Sequence, residues 1–138
     1  FRNGSTFEGP SGETEGELLL QIEKGDYEAA LAAAQATLAE AQLALTMEEV
    51  RRGQALRDWE KIRKGQEPTE LVRRVPQIRS AEAKIKAAEA GVKTALQDLK
   101  RTEIRAPYDC RIERAYVDVG ATVIPGAPLV DLVSLGPV

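Results

Sequence analysis

The chain has 138 residues, a formal net charge of −3, 43% hydrophobic but only 4% aromatic residues, and no histidine. The missing imidazole removes the commonest general base, the commonest metal ligand and the usual partner of a nucleophilic serine. A single cysteine, Cys110, allows no internal disulfide, and the sequence has neither a glycine-rich phosphate loop nor a metal-ligand cluster, so no catalytic, cofactor-binding or metal residue is assigned.

In chain order, Phe1 to Gly16 is rich in Gly, Ser, Thr and Glu and reads as loop. Asn3-Gly4-Ser5 matches a glycosylation acceptor, a match too common to carry weight. Leu18 to Ile22 is a short apolar run closed by Gly25, which predicts a strand. Asp26 stands where an N-cap would accept the first free amides of a helix running from about Tyr27 to Arg63. At 1.5 Å per residue that helix is roughly 55 Å long. Lys64 to Pro68 carries the turn, and a second helix is expected from Thr69, another cap, to Arg101, with a kink or break at Pro76.

Both helices carry apolar residues in sevens. The first runs Leu31, Leu38, Leu45, Arg52, Trp59, with Ala34, Ala41, Glu48, Ala55 and Ile62 alongside. The second runs Leu71, Ile78, Ile85, Val92, Leu99, with Arg74, Ala81, Ala88, Ala95 and Thr102 alongside. Such stripes hide a narrow seam against a partner helix. Folding the chain at Gly65–Pro68 gives the antiparallel layers Ala34·Leu99, Leu38·Ala95, Ala41·Val92, Leu45·Ala88, Glu48·Ile85, Arg52·Ala81, Ala55·Ile78, Trp59·Arg74 and Ile62·Leu71. Large faces small through most of them, as interdigitated packing requires. Glu48 and Arg52 are spaced for an ion pair within one helix, and Trp59 opposite Arg74 for a cation–π contact.

After Arg101 the period changes to two. Thr102 to Pro107 predicts a strand entering a turn, Cys110 to Val119 a second strand, and Leu129 to Val133 a last one after the turn signals Gly120, Pro125 and Gly126. Gly16-Glu17-Leu18-Leu19-Leu20-Gln21-Ile22 and Gly126-Ala127-Pro128-Leu129-Val130-Asp131-Leu132 share a Gly-x-x-Leu-x-x-aliphatic pattern. The two copies flank the hairpin, which makes it an insertion between related halves of one small β-module. The fold expected is α+β, with residues 1–25 as loop and first half, 26–101 as hairpin and 102–138 as second half.

Charge is uneven along the chain. From Val50 to Ser80 nine basic residues stand against four acidic ones, so the half nearest the turn is +5 and the remainder −8. Such a run is either a solvated face or a tip that docks on an acidic surface. Arg57, Lys61, Arg63, Lys64 and Arg73 are the candidate contacts. Few aromatics and an acidic total argue against nucleic-acid binding. No apolar run is long enough to span a bilayer and no signal peptide opens the chain. The start at Phe1 without methionine and the end at Val138, just after a strand-like run, both read as cuts in a longer protein.

Leu18-Leu19-Leu20-Gln21-Ile22-Glu23-Lys24-Gly25-Asp26-Tyr27-Glu28-Ala29-Ala30-Leu31 resembles the strand-to-helix junction of periplasmic adaptor proteins, also called membrane fusion proteins. Thr102-Glu103-Ile104-Arg105-Ala106-Pro107-Tyr108-Asp109-Cys110-Arg111-Ile112, followed by Val119-Gly120, Val123, Gly126 and Leu129, resembles their return segment. The resemblance covers Gly16 to Leu135 and implies a flattened lipoyl-like β-sandwich split by the hairpin, with turns at Pro107, Gly120 and Gly126. It implies a periplasmic, inner-membrane-associated spacer, oligomeric and without a cofactor. Its partners would be copies of itself, an inner-membrane transporter and an outer-membrane channel, in export of drugs or in type I secretion. The anchoring segments would lie outside this chain.

Cys110 stands where the family usually has glycine, and its thiol offers a route to dimerisation. The family's Arg, Leu and Ser pattern at the tip does not fit Arg63, Leu71 and Ser80. Lys24 lies near the place where lipoyl or biotinyl carriers present a modified lysine, but here the chain continues into the hairpin, so it is expected to be unmodified. A lipoyl or biotinyl carrier domain and a purely structural coiled-coil module are the alternative readings.

Overall fold

The structure, a computed structural model, describes residues 3–12 and 14–136. Its elements are β1 (Thr6–Phe7), β2 (Leu18–Gln21), α1 (Gly25–Ile62), α2 (Val75–Arg101), β3 (Glu103–Arg105), β4 (Cys110–Ala115) and β5 (Val130–Ser134). They form two compact units, Phe1–Glu23 with Arg101–Val138, and Lys24–Lys100.

The first unit holds two antiparallel sheets, β1-β4-β5 and β2-β3. The expected strands at 18, 102, 110 and 129 all form, though β4 ends at Ala115, just before a last cross-strand bond from the Tyr116 N–H to the Leu129 carbonyl at 2.8 Å. β1 is an addition: Phe7 pairs with Cys110 inside the stretch read as loop. A two-residue strand is too short to show alternation. The core draws on both sheets: Leu19 of β2, Ala106, and Cys110 of β4 form a buried cluster with Phe7, Ile104 and Leu132 packed against it, and Ile112 of β4 is also buried. The core's apolar content is small, and among the described residues Leu19 and Ile112 are its only large buried side chains.

The string Ala106-Pro107-Tyr108-Asp109 ties this unit together. The Asp109 carboxylate accepts the Gly9 N–H at 2.8 Å, and the Asp109 carbonyl accepts the Leu135 N–H at 2.9 Å. Gly16 is buried against the Ala106 carbonyl oxygen, where a Cβ would collide with backbone. Gly120 and Gly126 have φ of 85° and 84° and sit third in the turns closed by Ala121 N–H to Asp118 and Ala127 N–H to Ile124. Both turns need the left-handed backbone that glycine adopts without strain. Asn3 uses its side-chain oxygen to accept the Ala115 N–H at 3.1 Å.

The second unit is the helical hairpin. Protection along α1 falls on Leu31, Ala34, Leu38, Ala41, Leu45, Glu48, Arg52, Ala55 and Trp59, the expected stripe. On α2 the buried residues are Ala81, Ala88 and Ala95, seven apart, with Ile78, Ile85, Val92 and Leu99 half-buried between them. No residue of α1 is fully buried. A two-helix seam has solvent on both flanks, so the small alanines are its most enclosed part.

Four expectations are corrected here. α1 starts at Gly25, with Lys24 as N-cap and no side-chain cap bond, so Asp26 lies inside the first turn, where its charge favours the helix dipole instead. α2 starts at Val75, six residues later than Thr69. Pro76 is the reason: it lacks an N–H and its ring clashes with the carbonyl four residues back, which is harmless only in a first helical turn. Ile62 and Leu71 are 79% and 73% exposed and do not belong to the seam.

The layers themselves are displaced. The groove between the helices is lined by Glu40, Ala44 and Glu48 of α1 and by Gln77, Ala81 and Lys84 of α2. Residues 44–48 therefore stand beside 77–81, about one heptad nearer the turn on α2 than the layers Leu45·Ala88 and Glu48·Ile85 require. Strand pairing explains the shift. Gln21 pairs with Glu103 and the Ile22 N–H donates to the Thr102 carbonyl, closing the chain just outside the helix ends at Gly25 and Arg101. A shift of seven residues leaves every heptad pattern intact, so only this closure selects the register.

Candidate functional site

The hairpin's turn is larger than the five residues expected, spanning 63–74. α1 ends with the Arg63 N–H on the Trp59 carbonyl, and Gly65 supplies the first reversal with φ of 74°. Residues 69–73 then make one isolated helical turn, with the Thr69 hydroxyl accepting the Val72 N–H at 3.3 Å. That turn is closed by a Schellman motif: the Val75 N–H reaches the Glu70 carbonyl and the Arg74 N–H the Leu71 carbonyl. Arg74 occupies the left-handed position with φ of 54°, and is the one described non-glycine residue with positive φ. Its carbonyl then accepts the Ile78 N–H at 3.0 Å and opens α2. A left-handed backbone costs a residue with a Cβ about 1–2 kcal/mol.

Glu48 holds this corner. Its carboxylate accepts from Arg74 Nε at 2.7 Å and from Arg51 Nη1 at 2.8 Å, with the Glu48 and Arg74 side chains 15% and 28% exposed. The hydrogen bond from Arg74 holds the Glu48 carboxyl below the ordinary carboxylate value, against the opposing effect of burial. The partner expected from spacing, Arg52, is replaced by Arg51 and Arg74. Trp59 does not stack on Arg74 either: its Nε1 donates to the Gln66 carbonyl at 2.9 Å and the Arg63 guanidinium lies over its ring at 5.8 Å. Both changes follow from the register, which brings Arg74 to Glu48.

The five candidate contacts Arg57, Lys61, Arg63, Lys64 and Arg73 are all exposed. Arg57 bonds Gln54 within α1, and Arg63 is committed to the tryptophan face. Ile62 and Leu71 add exposed apolar surface to this basic tip. Leu43, Met47 and Val50 form a second exposed apolar row on α1, visible in hindsight as helical spacing one face away from the seam.

Cys110 has no exposed surface, and burial, with a smaller contribution from the Asp109 carboxylate, pushes its thiol above the ordinary range. Dimerisation through it is thereby corrected: a thiol enclosed in the β-module core has no access to a second chain. Lys24 lies at the N-cap of α1, next to the helix rather than in an exposed hairpin turn. Among the described residues no group of acidic or cysteine side chains is placed to hold a metal ion, and no helix is long and apolar enough to cross a membrane.

Neither protein-family models nor curated proteins give a match to this sequence. Solved structures do. A membrane fusion protein from Streptococcus pneumoniae R6 is similar over 97% of this chain and 52% of its own, at 14% identity and TM-score 0.70. MacA from Actinobacillus actinomycetemcomitans is similar over 98% and 44%, at 21% identity and TM-score 0.60. A MacA–MexA chimera containing the Pseudomonas aeruginosa MexA α-hairpin domain is similar over 96% and 46%, at 24% identity and TM-score 0.57. The chain thus spans about half the length of these structures, and it has the fold of a membrane fusion protein: a long helical hairpin inserted into a small β-module.

Proposed function

We propose that the chain is the hairpin and lipoyl-like part of a periplasmic adaptor. In that role it joins an inner-membrane transporter to an outer-membrane channel during export of drugs or other small molecules. The observation that carries this reading is the insertion itself. A 38-residue and a 27-residue helix leave the β-module and return to it as one seam, in a fold shared with membrane fusion proteins along nearly the whole chain. A helix pair of that length, about 57 Å on the longer arm, serves as a spacer between two partners. In this reading residues 1–25 and 102–138 are the halves of the lipoyl-like sandwich, supported by each half lending strands to both sheets, and the basic tip is the surface offered to a partner. Copies of the chain side by side make the conduit, and segments outside it carry the anchor to the inner membrane.

The register supplies a direct test. Residues 31–37 and 89–95 are matched heptads, so deleting both shortens the arm by about 10 Å while leaving the seam in phase. In cells expressing the full-length protein, a spacer requires that this deletion abolish drug efflux although the protein accumulates normally. Arg63→Glu with Lys64→Glu is expected to weaken efflux without loss of helicity. Normal efflux from the shortened protein refutes the spacer, and normal efflux with the double reversal removes the tip from the mechanism.

A further inference from the structure

At the start of α2 the heptad pattern and the backbone disagree. Leu71, Ile78, Ile85, Val92 and Leu99 continue one stripe without interruption, which suits a single helix from about 70 to 101. The structure breaks that helix at Arg74 by turning it left-handed, and leaves Leu71 exposed. Pro76 favours a helix start at Val75, but the left-handed backbone falls on Arg74. Arginine is a good helix former and a poor left-handed residue. Pro76 makes the continuous helix costly by removing one hydrogen bond and forcing a kink, but it does not by itself set the conformation of Arg74, two residues before it. What distinguishes Arg74 is its tertiary partner: the guanidinium is bonded to Glu48, 26 residues away, and Glu48 is in turn bonded to Arg51.

We infer that residues 69–75 are a two-state element in which the Glu48–Arg74 ion pair latches the broken form, and that release lets the isolated turn join α2 as one kinked helix. Joining requires Arg74 to move from left- to right-handed backbone, with loss of the two Schellman bonds, gain of helical ones in their place, and a kink at Pro76, which has no N–H to donate to the Val72 carbonyl. In the joined form Leu71, Arg74 and Ile78 share one helical face, so Leu71 leaves the exposed tip for the side that carries the seam. The latch therefore decides whether the tip displays Leu71. The charged groups around Glu48 are Arg51 on its own helix and Arg74 at the corner, with Glu40 and Lys84 further along the same groove. A partner carboxylate that captured Arg74 would release the latch as effectively as removal of the Glu48 charge.

Two substitutions act in opposite directions and separate the latch from simple destabilisation. In the 138-residue chain, Glu48→Gln keeps the side-chain shape and removes the ion pair. Backbone NMR chemical shifts are expected to become helical without a break from residue 70 to 100, with Arg74 losing its left-handed signature. Arg74→Gly also removes the ion pair, but glycine accepts the left-handed position and disfavours a helix. The break at 74 is then expected to persist, and the double variant Glu48→Gln/Arg74→Gly to match Arg74→Gly. The inference is overturned if Glu48→Gln leaves the wild-type shifts at 69–75 unchanged, or if it turns that segment to random-coil shifts instead of helical ones.

Discussion

Replacing Ile112 with alanine probes the division of the chain into two units, because each unit carries one natural reporter. Ile112 has no exposed surface and is, among the described residues, one of two large apolar side chains buried in the β-module. Its truncation removes three carbons, worth about 2.4 kcal/mol at ~0.8 kcal/mol per methylene, and leaves a cavity besides, for a total of about 3–4 kcal/mol. A module with so little buried apolar surface has few contacts to absorb that loss. The single cysteine, Cys110, is likewise fully buried, two residues before Ile112 on β4, and the single tryptophan, Trp59, lies in the hairpin. Thiol labelling therefore reports opening of the module, and indole fluorescence reports the hairpin. In Ile112→Ala, labelling of Cys110 under native conditions should accelerate about 100-fold or more, since each 1.4 kcal/mol is a factor of ten in the open population. The urea midpoint of the Trp59 transition should stay where it is. An acceleration below about 5-fold would show that Ile112 is not part of a cooperative core. A Trp59 midpoint that falls in step with the labelling would show that the two units do not open separately.

The displaced register makes a second prediction. Leu45→Ala, in the seam, should cost about 1–2 kcal/mol, whereas Leu71→Ala, 73% exposed, should cost less than about 0.5 kcal/mol; equal costs in chemical denaturation would restore the layer Ile62·Leu71. A third concerns acid. The Glu48 pKa is lowered in the folded chain from an ordinary 4.5, so its contribution is complete above that value and is lost as pH falls through the folded pKa. Thermal midpoints of the wild type and Glu48→Gln should therefore converge below about pH 4.5, and a constant gap down to pH 3 would refute the assignment.

Much of the architecture is legible in local sequence. Leu18 to Gln21, the run after Thr102 and the run at Val130 form strands as their alternation and turn residues indicate, and the glycines at 65, 120 and 126 sit at left-handed turns. The seam is legible too, because burial in a two-helix unit depends only on the period of the apolar residues. What local reading missed has identifiable causes. β1 is too short to alternate. The break before Val75 requires knowing that Pro76 can open a helix instead of kinking one. The Glu48–Arg74 pair joins residues whose proximity depends on the register, so spacing within one helix pointed to Arg52 instead.

The amino-acid sequence by itself determined that two long helices form, which faces they bury and roughly where they turn. Those are properties of a period, and a period survives any shift by seven. The tertiary structure decided which heptad meets which. Pairing of Gln21 with Glu103 outside the helix ends removes the degeneracy, places Ala81 beside Ala44, and so brings Arg74 to Glu48 at the corner where the helix breaks.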